Sequence, residues 1–388
     1  MIRLGLKMLF GDTTKYLMLL AGAVFATFLM AQQGAVFCGL MRWTTATLKN
    51  VPAPVWVVDP KVEQVNETIP LLDTDVTRVR SVDGVAWASP IYSGLQKVRL
   101  SDGNYKITQL IGIDATTLAG APEKMVKGSL EDLRLPNTVI VDTLALKRLS
   151  PNPEKPLGIG DVFEINDVEA RVVGIAEAMN SFTGGPYLWT TYERALQYAP
   201  PMRKMLSAVI AAPAPGITNS EIAHRISANT GLKAFVNEEY SSDSKTTDFN
   251  TSTIWWYIKN TGIPFSFGIT VLIGFIVGVA ICCQTFYAFI LENLKHLGAL
   301  KAMGASTGKL YAMVVAQAFT VGFVGYGIGM LLTAGFAFGA LKNSQPPFYL
   351  PLAVAPGVLA VILLICALAA LLGIRKIAKL EPAMVFRA

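Results

Sequence analysis

Residues 260–291 read NTGIPFSFGITVLIGFIVGVAICCQTFYAFIL, a run of 32 residues without an Asp, Glu, Lys or Arg. Crossing the hydrocarbon core of a bilayer takes about 20 apolar residues. The run is long enough to cross and has no charge that would need solvation in lipid. It therefore predicts a transmembrane helix.

Three further runs also lack all charged residues: Tyr16–Met41, Leu310–Leu341 and Asn343–Ile374. The chain of 388 residues is only 15% charged, whereas soluble domains average about 25%. A polar block, Arg42–Lys259, holds 22 of the 33 basic and 24 of the 27 acidic residues. The predicted fold class is a membrane α-helical protein with four transmembrane helices and a large α+β extracytoplasmic domain made of two subdomains.

The charges outside the polar block predict the orientation. One side of the four runs carries ten basic and three acidic residues: Arg3, Lys7, Lys15, Lys295, Lys301, Lys309, Arg375, Lys376, Lys379 and Arg387 against Asp12, Glu292 and Glu381. The short loop on the other side carries Lys342 alone. The positive-inside rule then places both termini and the 292–309 loop in the cytoplasm and the polar block outside.

The N-terminal segment Met1–Asp12 mixes apolar residues with Arg3 and Lys7, which is typical of a helix lying on the inner membrane surface. The apolar run after it is 26 residues long, against 7–15 in a signal peptide. We therefore expect it to be retained as a membrane helix.

The polar block shows alternating strand and helix signals. Strands are predicted at Val55–Val58, Val85–Ser89, Leu95–Leu100, Tyr105–Ile111, Leu206–Ala212 and Lys233–Val236, and helices at Thr74–Ser81 and from Thr218, where a capping box begins, to Gly231. The segment between these pieces has strands at Thr138–Val141, Val162–Ile165 and Val168–Ile175 and several prolines. We interpret it as a second, strand-rich subdomain inserted into the first.

Catalytic and cofactor motifs are not recognisable. The two histidines, His224 and His296, fall on opposite sides of the predicted membrane, and all four cysteines lie in or beside the spans. Gly304–Leu310 resembles a phosphate-binding loop but has too few residues between its glycines and Leu after the lysine. We expect a non-enzymatic membrane subunit without metal or cofactor of its own, and no nucleic-acid partner. If nucleotide hydrolysis drives it, ATP and Mg²⁺ are bound by another chain.

Small residues recur in the spans at intervals suited to close helix packing. The pairs are Gly274/Gly278, Gly325/Gly329 and Gly335/Gly339. Glycine is also simply common in membrane helices, so close packing and chance spacing both stay open. The charge-free runs hold no Asp, Glu, Lys, Arg or His, which disfavours an ion-coupled carrier.

Two helical segments are predicted to lie outside the membrane core. No proline occurs between Thr14 and Pro52, so the first helix could run for about 50 Å, of which the core takes about 30 Å. The remainder is predicted to form a stalk. On the inner side, residues 291–304 mix leucines with charges and end at Gly304, which predicts a short cytoplasmic helix.

The sequence resembles the MacB-type, or type VII, ABC transporter permeases, and within them the DevC-like permeases. The resemblance rests on LGALKAMGAS at 297–306, GFIVG at 274–278, RKIAKLEPA at 375–383 and the order of segments over nearly the whole chain. The start of the short helix, LENLKH at 291–296, is less acidic than the family pattern, which leaves partner identity open.

The sequence patterns and the resemblance together predict nine parts of the chain: a cytoplasmic N-terminal helix 1–14, transmembrane helix 1 with its stalk 15–50, a porter-like subdomain 51–114 and 205–240, an inserted subdomain 115–204, a stalk with transmembrane helix 2 255–291, a coupling helix 292–306, transmembrane helix 3 309–341, transmembrane helix 4 351–374 and a cytoplasmic tail 375–388.

The resemblance also implies a mechanism called mechanotransmission, in the bacterial inner membrane. Two copies of an ATPase subunit would drive two permease copies, and movement of the periplasmic domains would drive efflux with a periplasmic adaptor and an outer-membrane channel. The ATPase-coupling residues would be Glu292, Lys295, His296, Leu297, Leu300, Lys301, Met303 and Gly304. The alternatives are a regulator of a cell-wall hydrolase like FtsX, or an extractor of haem or lipoprotein from the outer leaflet. The sequence does not identify the substrate.

Overall fold

The computed structural model describes residues 2–11, 13–150, 152, 155–201, 205–240, 248–343 and 345–378. The α-helices are α1 Ile2–Gly11, α2 Thr13–Thr44, α3 Ala46–Asn50, α4 Thr74–Arg80, α5 Ala145–Arg148, α6 Tyr192–Tyr198, α7 Asn219–Thr230, α8 Phe249–Asn260, α9 Ile263–Glu292, α10 Leu294–Ala302, α11 Thr307–Asn343 and α12 Val354–Ala378. The strands are β1 Val55–Val58, β2 Val85–Arg99, β3 Tyr105–Ile113, β4 Met125–Gly128, β5 Thr138–Asp142, β6 Val162–Ile165, β7 Val168–Ala176, β8 Tyr187–Thr191, β9 Ala208–Pro213 and β10 Lys233–Val236.

The chain divides into two compact units. We call Met1–Leu40 with Gly262–Ala388 the membrane unit, and Met41–Thr261 the polar domain. Helices α2, α9, α11 and α12 are long and apolar enough to cross a membrane, so the four predicted spans are confirmed. Most of the tail predicted at 375–388 lies outside the described residues, and α12 itself extends to Ala378.

Helices α1, α2, α9, α10, α11 and α12 share one apolar core in the membrane unit. The part contributed by α2 consists of small or flexible side chains, among them Ala23, Ala26 and Met30. Small side chains allow neighbouring helix backbones to approach closely in lipid, where the hydrophobic effect does not drive helices together.

The segment predicted at 255–291 is not one helix. Helix α8 ends at Asn260, Thr261 is extended at φ −119° and ψ 155°, and α9 begins at Ile263. Pro264 explains the break, because proline is favoured in the first turn of a helix but would disrupt an uninterrupted one. The first helix differs, since α2 is continuous over 32 residues.

The first half of the polar domain's sheet has the strand order β10–β1–β9–β2 and is antiparallel throughout. Helices α4 and α7 pack on it around Val79, Ile222 and Ile226. The predicted cap of α7 is confirmed: Thr218 Oγ1 accepts a hydrogen bond from the Glu221 N–H, and Gly231 ends the helix at φ +70°.

The second half of the sheet closes on itself. Strand β2 pairs with β3, β3 with β8, β8 with β5, β5 with β7, β7 with β6, and β6 again with β2. The pairs β3–β8 and β5–β7 are parallel and the others antiparallel. This ring surrounds an apolar core that includes Leu110, Val141, Phe163 and Leu188.

The predicted strands at 85–89 and 95–100 are one strand, β2, in the structure. Strand β2 passes through Pro90, which pairs only with β9, because the β3 pairing begins at Tyr92. A proline is tolerated where no second neighbouring strand needs a hydrogen bond from its position.

Strands β4 and β8 were not predicted. The turn between β6 and β7 was predicted. Asn166 and Asp167 adopt φ +47° and +66° in this turn, as a tight hairpin requires.

Asp142 ends β5 inside the polar domain and is 1% exposed. Its carboxylate accepts hydrogen bonds from the N–H groups of Ala145, at 2.7 Å, and Tyr187, at 2.9 Å. Burial raises the pKa of this carboxyl to about 6, although the two N–H groups act in the opposite direction.

Candidate functional site

The candidate site is the short segment from Glu292 to Gly304 between two spans. Asn293 lies between the end of α9 at Glu292 and the start of α10 at Leu294. The Asn293 side chain donates a hydrogen bond of 2.8 Å to the carbonyl of Phe289. The Asn293 backbone N–H donates to the same carbonyl at 3.2 Å, so the end of α9 is held by two hydrogen bonds from one residue.

The other end of α10 closes with a Schellman motif. The Ala305 N–H donates to the Leu300 carbonyl at 3.0 Å, and the Gly304 N–H donates to the Lys301 carbonyl at 3.1 Å. Gly304 adopts φ +93°, a conformation that costs other residues about 1–2 kcal/mol. Helix α10 is therefore a separate element with defined ends.

One face of α10 belongs to the core of the membrane unit. Leu297 is 2% exposed, and Leu294 and Leu300 are half-buried against the same cluster. Lys301 is also half-buried. The face opposite to Leu297 is exposed, and Met303 at its end is 75% exposed.

The structure therefore separates the predicted coupling residues into two groups. Glu292, Lys295, His296, Met303 and Gly304 are exposed. Leu297 is not available to a partner, because it anchors α10 to its own spans, and Leu300 and Lys301 are only partly accessible.

Ala299 and Ala302 are exposed on α10 as well and were not predicted. Alanine carries no chemical signal in a sequence. Only the helix orientation reveals that these two residues belong to the accessible surface.

The predicted glycine pairs pack to different extents. An added Cβ at Gly278 would lie 2.7 Å from Ala26 Cβ, and one at Gly325 would lie 2.5 Å from Ala23 Cβ. At Gly329 it would lie 2.5 Å from Thr27 Cβ. All three glycines face α2, so α9 and α11 both approach this helix closely. At Gly274 the nearest atom, Leu29 Cβ, is 3.6 Å away, which is an ordinary contact.

Gly335 and Gly339 differ from the expectation of close packing. A Cβ at either position would meet nothing within 4 Å. Both residues lie on the exposed surface of α11, so their spacing does not reflect contact with another helix among the residues that the structure describes.

The contact between α1 and α11 was not predicted from the sequence. Gln317 is 2% exposed, and its Nε2 donates a hydrogen bond of 2.7 Å to the Gly5 carbonyl. A Cβ at Gly5 would come within 2.2 Å of Met313 Cγ. The N-terminal helix is therefore held against α11 by one polar anchor and one close approach.

Several threonine hydroxyls in the spans hydrogen-bond within their own helices. Thr27 donates to the Ala23 carbonyl at 2.8 Å, and Thr333 donates to the Gly329 carbonyl at 2.9 Å. Within the described ranges, no group of three or more His, Cys, Asp or Glu residues is placed to hold a metal ion.

Comparison with known proteins gives one curated relative. The chain is 26% identical over 260 residues to the macrolide export ATP-binding/permease protein MacB of Agrobacterium fabrum. The match covers 63% of this chain and 37% of that protein. The chain thus matches little more than a third of the relative's length.

Solved structures similar to parts of the chain include an extracellular domain and a periplasmic region of two bacterial proteins. The extracellular domain of the noncanonic ABC-type transporter YknZ from Gram-positive bacteria is 13% identical, with a TM-score of 0.34 over 47% of this chain and 98% of that one. The periplasmic region of MacB from Actinobacillus actinomycetemcomitans is 14% identical, with a TM-score of 0.37 over 55% of this chain and 95% of that one.

Two family models match the sequence. The MacB-like periplasmic core domain model matches residues 21–229, and the FtsX-like permease C-terminal model matches residues 268–382. The first alone covers more than half of the chain, and the second covers the last three spans with α10. The chain therefore belongs to the MacB-type permease family.

Proposed function

We propose that this chain is the permease subunit of an ABC exporter and that the exposed face of α10 docks into a separate ATPase subunit. The observation that carries the proposal is the construction of α10. It is a short helix closed at its C-terminal end by a Schellman motif and anchored by Leu297 to the spans, and its opposite face is exposed. A force applied to this face acts directly on the helices that hold it.

The spans suit transmission better than conduction. Their charge-free runs offer no carboxylate, amine, guanidinium or imidazole group to a polar cargo, and the hydroxyls of Thr27 and Thr333 are engaged within their own helices. In the proposed mechanism, ATP and Mg²⁺ bind to two ATPase copies, a second permease copy completes the complex, and α10 lies in the cytoplasm with both termini. The polar domain then lies in the periplasm, where an adaptor and an outer-membrane channel receive the cargo.

The two connections between the units differ in continuity. Helix α2 contributes residues to both units without a break, whereas α8 and α9 are separate helices joined at Thr261 and Gly262. We propose that α2 transmits movement as a rigid element. The link at Thr261 and Gly262 then permits the angle between α8 and α9 to change.

Met303 provides the sharpest test of the proposed docking surface. Coexpression of Met303→Asp with the cognate ATPase should give at least a hundredfold weaker association, because a buried unpaired charge costs about 3 kcal/mol or more. Leu300→Asp would be a poorer test, since Leu300 is partly buried in its own unit and its substitution would also destabilise the permease.

Two controls accompany the Met303 test. Met303→Leu keeps an apolar side chain and should bind normally. Ser101→Asp adds the same charge at an exposed turn of the polar domain and should also bind normally. Equal association of Met303→Asp and wild type would refute α10 as the ATPase docking helix.

A further inference from the structure

An open groove of about 580 Å³ lies on the polar domain beside α8. Ser252, Trp255, Trp256 and Lys259 line one wall, and their spacing places them on one face of the helix. Glu63 and Lys233 contribute to the lining from other segments. The groove falls in the size range of small-molecule sites in proteins.

A second face of α8 is fixed to the polar domain. Phe249 stacks on Phe235 with ring centroids 4.3 Å apart, and Tyr257 packs edge-on against Phe182 at 4.9 Å. Thr253 Oγ1 accepts a hydrogen bond of 3.1 Å from the Val65 N–H. Because these contacts hold the helix, the groove-lining face is presented in one orientation.

The groove combines exposed aromatic surface with amines. Trp255 is 54% exposed, and Lys259 Nζ lies 5.8 Å from the centre of its ring. No carboxylate among the described residues is within salt-bridge distance of Lys259. Lys233 donates a hydrogen bond of 3.2 Å to the Val62 carbonyl. Two lysines and one glutamate give the lining a net charge of +1.

Chain connectivity limits the distance between Asn260, which lines the groove, and the start of helix α9. Helix α8 ends at Asn260 and the apolar helix α9 begins at Ile263. Consecutive Cα atoms are 3.8 Å apart, so three peptide units reach at most about 11 Å. Tryptophan and lysine at such a position are typical of residues that contact lipid headgroups.

We propose that this groove binds the headgroup of an anionic phospholipid of the bilayer. One phosphodiester neutralises the net charge of the lining, with Lys259 as its principal partner, and the Trp255 ring packs against the glycerol backbone. Glu63 accepts hydrogen bonds from headgroup hydroxyls. The bound lipid would fix the depth of the end of α8 at the membrane surface.

The test uses the full-length protein in phosphatidylcholine nanodiscs that contain brominated phosphatidylglycerol or brominated phosphatidylcholine, which quench nearby tryptophans. Wild type should show stronger quenching by the brominated phosphatidylglycerol. Lys259→Gln should lower this preference about fivefold, the factor for about 1 kcal/mol per lysine at an anionic membrane. Lys106→Gln, which removes an exposed lysine outside the groove, should keep it.

Two further measurements locate the quencher and distinguish a lipid headgroup from free phosphate. Trp255→Phe should lose most of the lipid-dependent quenching if the bromine lies in this groove. Equal quenching by the two lipids, or an unchanged preference in Lys259→Gln, would overturn the proposal. Removal of the preference by added inorganic phosphate would show that the site takes free phosphate, which would also overturn the lipid assignment. Circular dichroism checks that each variant is folded.

Discussion

The close approach of α11 to α2 makes Gly329→Ala an informative substitution. The added Cβ would lie 2.5 Å from Thr27 Cβ and 2.9 Å from the Val24 carbonyl oxygen. Carbon atoms in favourable contact are about 3.5–4.0 Å apart. The two helices must therefore separate by about 1 Å, because the atoms that obstruct the methyl group belong to backbone and Cβ rather than to the end of a flexible side chain.

Gly335→Ala provides a matched control in the same helix, because its Cβ would meet nothing within 4 Å. Both substitutions replace glycine by the best helix former and gain up to about 1 kcal/mol from helix propensity. This gain is common to both variants. The difference between them is the cost of overpacking, about 1–3 kcal/mol, with Gly329→Ala the less stable.

The assay is unfolding of the purified protein in mixed micelles with increasing sodium dodecyl sulfate, followed by the helical circular dichroism signal. Gly329→Ala should unfold at a lower detergent fraction than wild type, and Gly335→Ala at an equal or higher one. Identical midpoints for the two alanine variants would refute the argument that Gly329 is required for the contact with α2.

Three further predictions concern single contacts. Burial raises the pKa of Asp142 to about 6, above its unfolded value of about 3.9, so the free energy of unfolding of the polar domain should fall by up to about 3 kcal/mol as the pH rises from 4 to 6. Tryptophan-monitored thermal unfolding of the full chain should show a shallower pH dependence in Asp142→Asn. An equal slope in the variant and the wild type would contradict the assignment. Gly231→Ala should lower the free energy of unfolding by about 1 kcal/mol because φ at this position is +70°. Gly262→Ala should be tolerated, since Gly262 has φ −74° and open space around it. Equal thermal midpoints for the two variants would argue against backbone strain at Gly231. Gln317→Leu removes the hydrogen bond to Gly5 and should raise amide hydrogen exchange throughout α1 by about tenfold or more; unchanged exchange would show that the bond does not hold this helix.

The sequence predicted the features that depend on neighbouring residues. The four spans follow from charge-free runs, since lipid excludes unpaired charge wherever it occurs. The cap at Thr218, the end of α7 at Gly231 and the turn at Asn166 and Asp167 are local as well, because each depends on one or two backbone conformations. The division of the polar block at 115 and 204 into subdomains, like the role of α10 in ATPase coupling, stays a prediction.

Contacts between residues far apart in the chain were decided only by the tertiary structure. Strand β6 closes the ring by pairing with β2 across more than 60 positions, and no local pattern encodes that partner. The six glycines have equivalent spacing, yet only the positions of the neighbouring helices distinguish Gly329, which touches α2, from Gly335, which touches nothing within 4 Å. In α10, likewise, the composition indicates a short helix with a leucine face, but the fold decides that Leu297 is buried and Met303 is accessible. The physical reason is the same in each case: helix and turn formation depend on nearby residues, whereas burial depends on which distant surface packs against them.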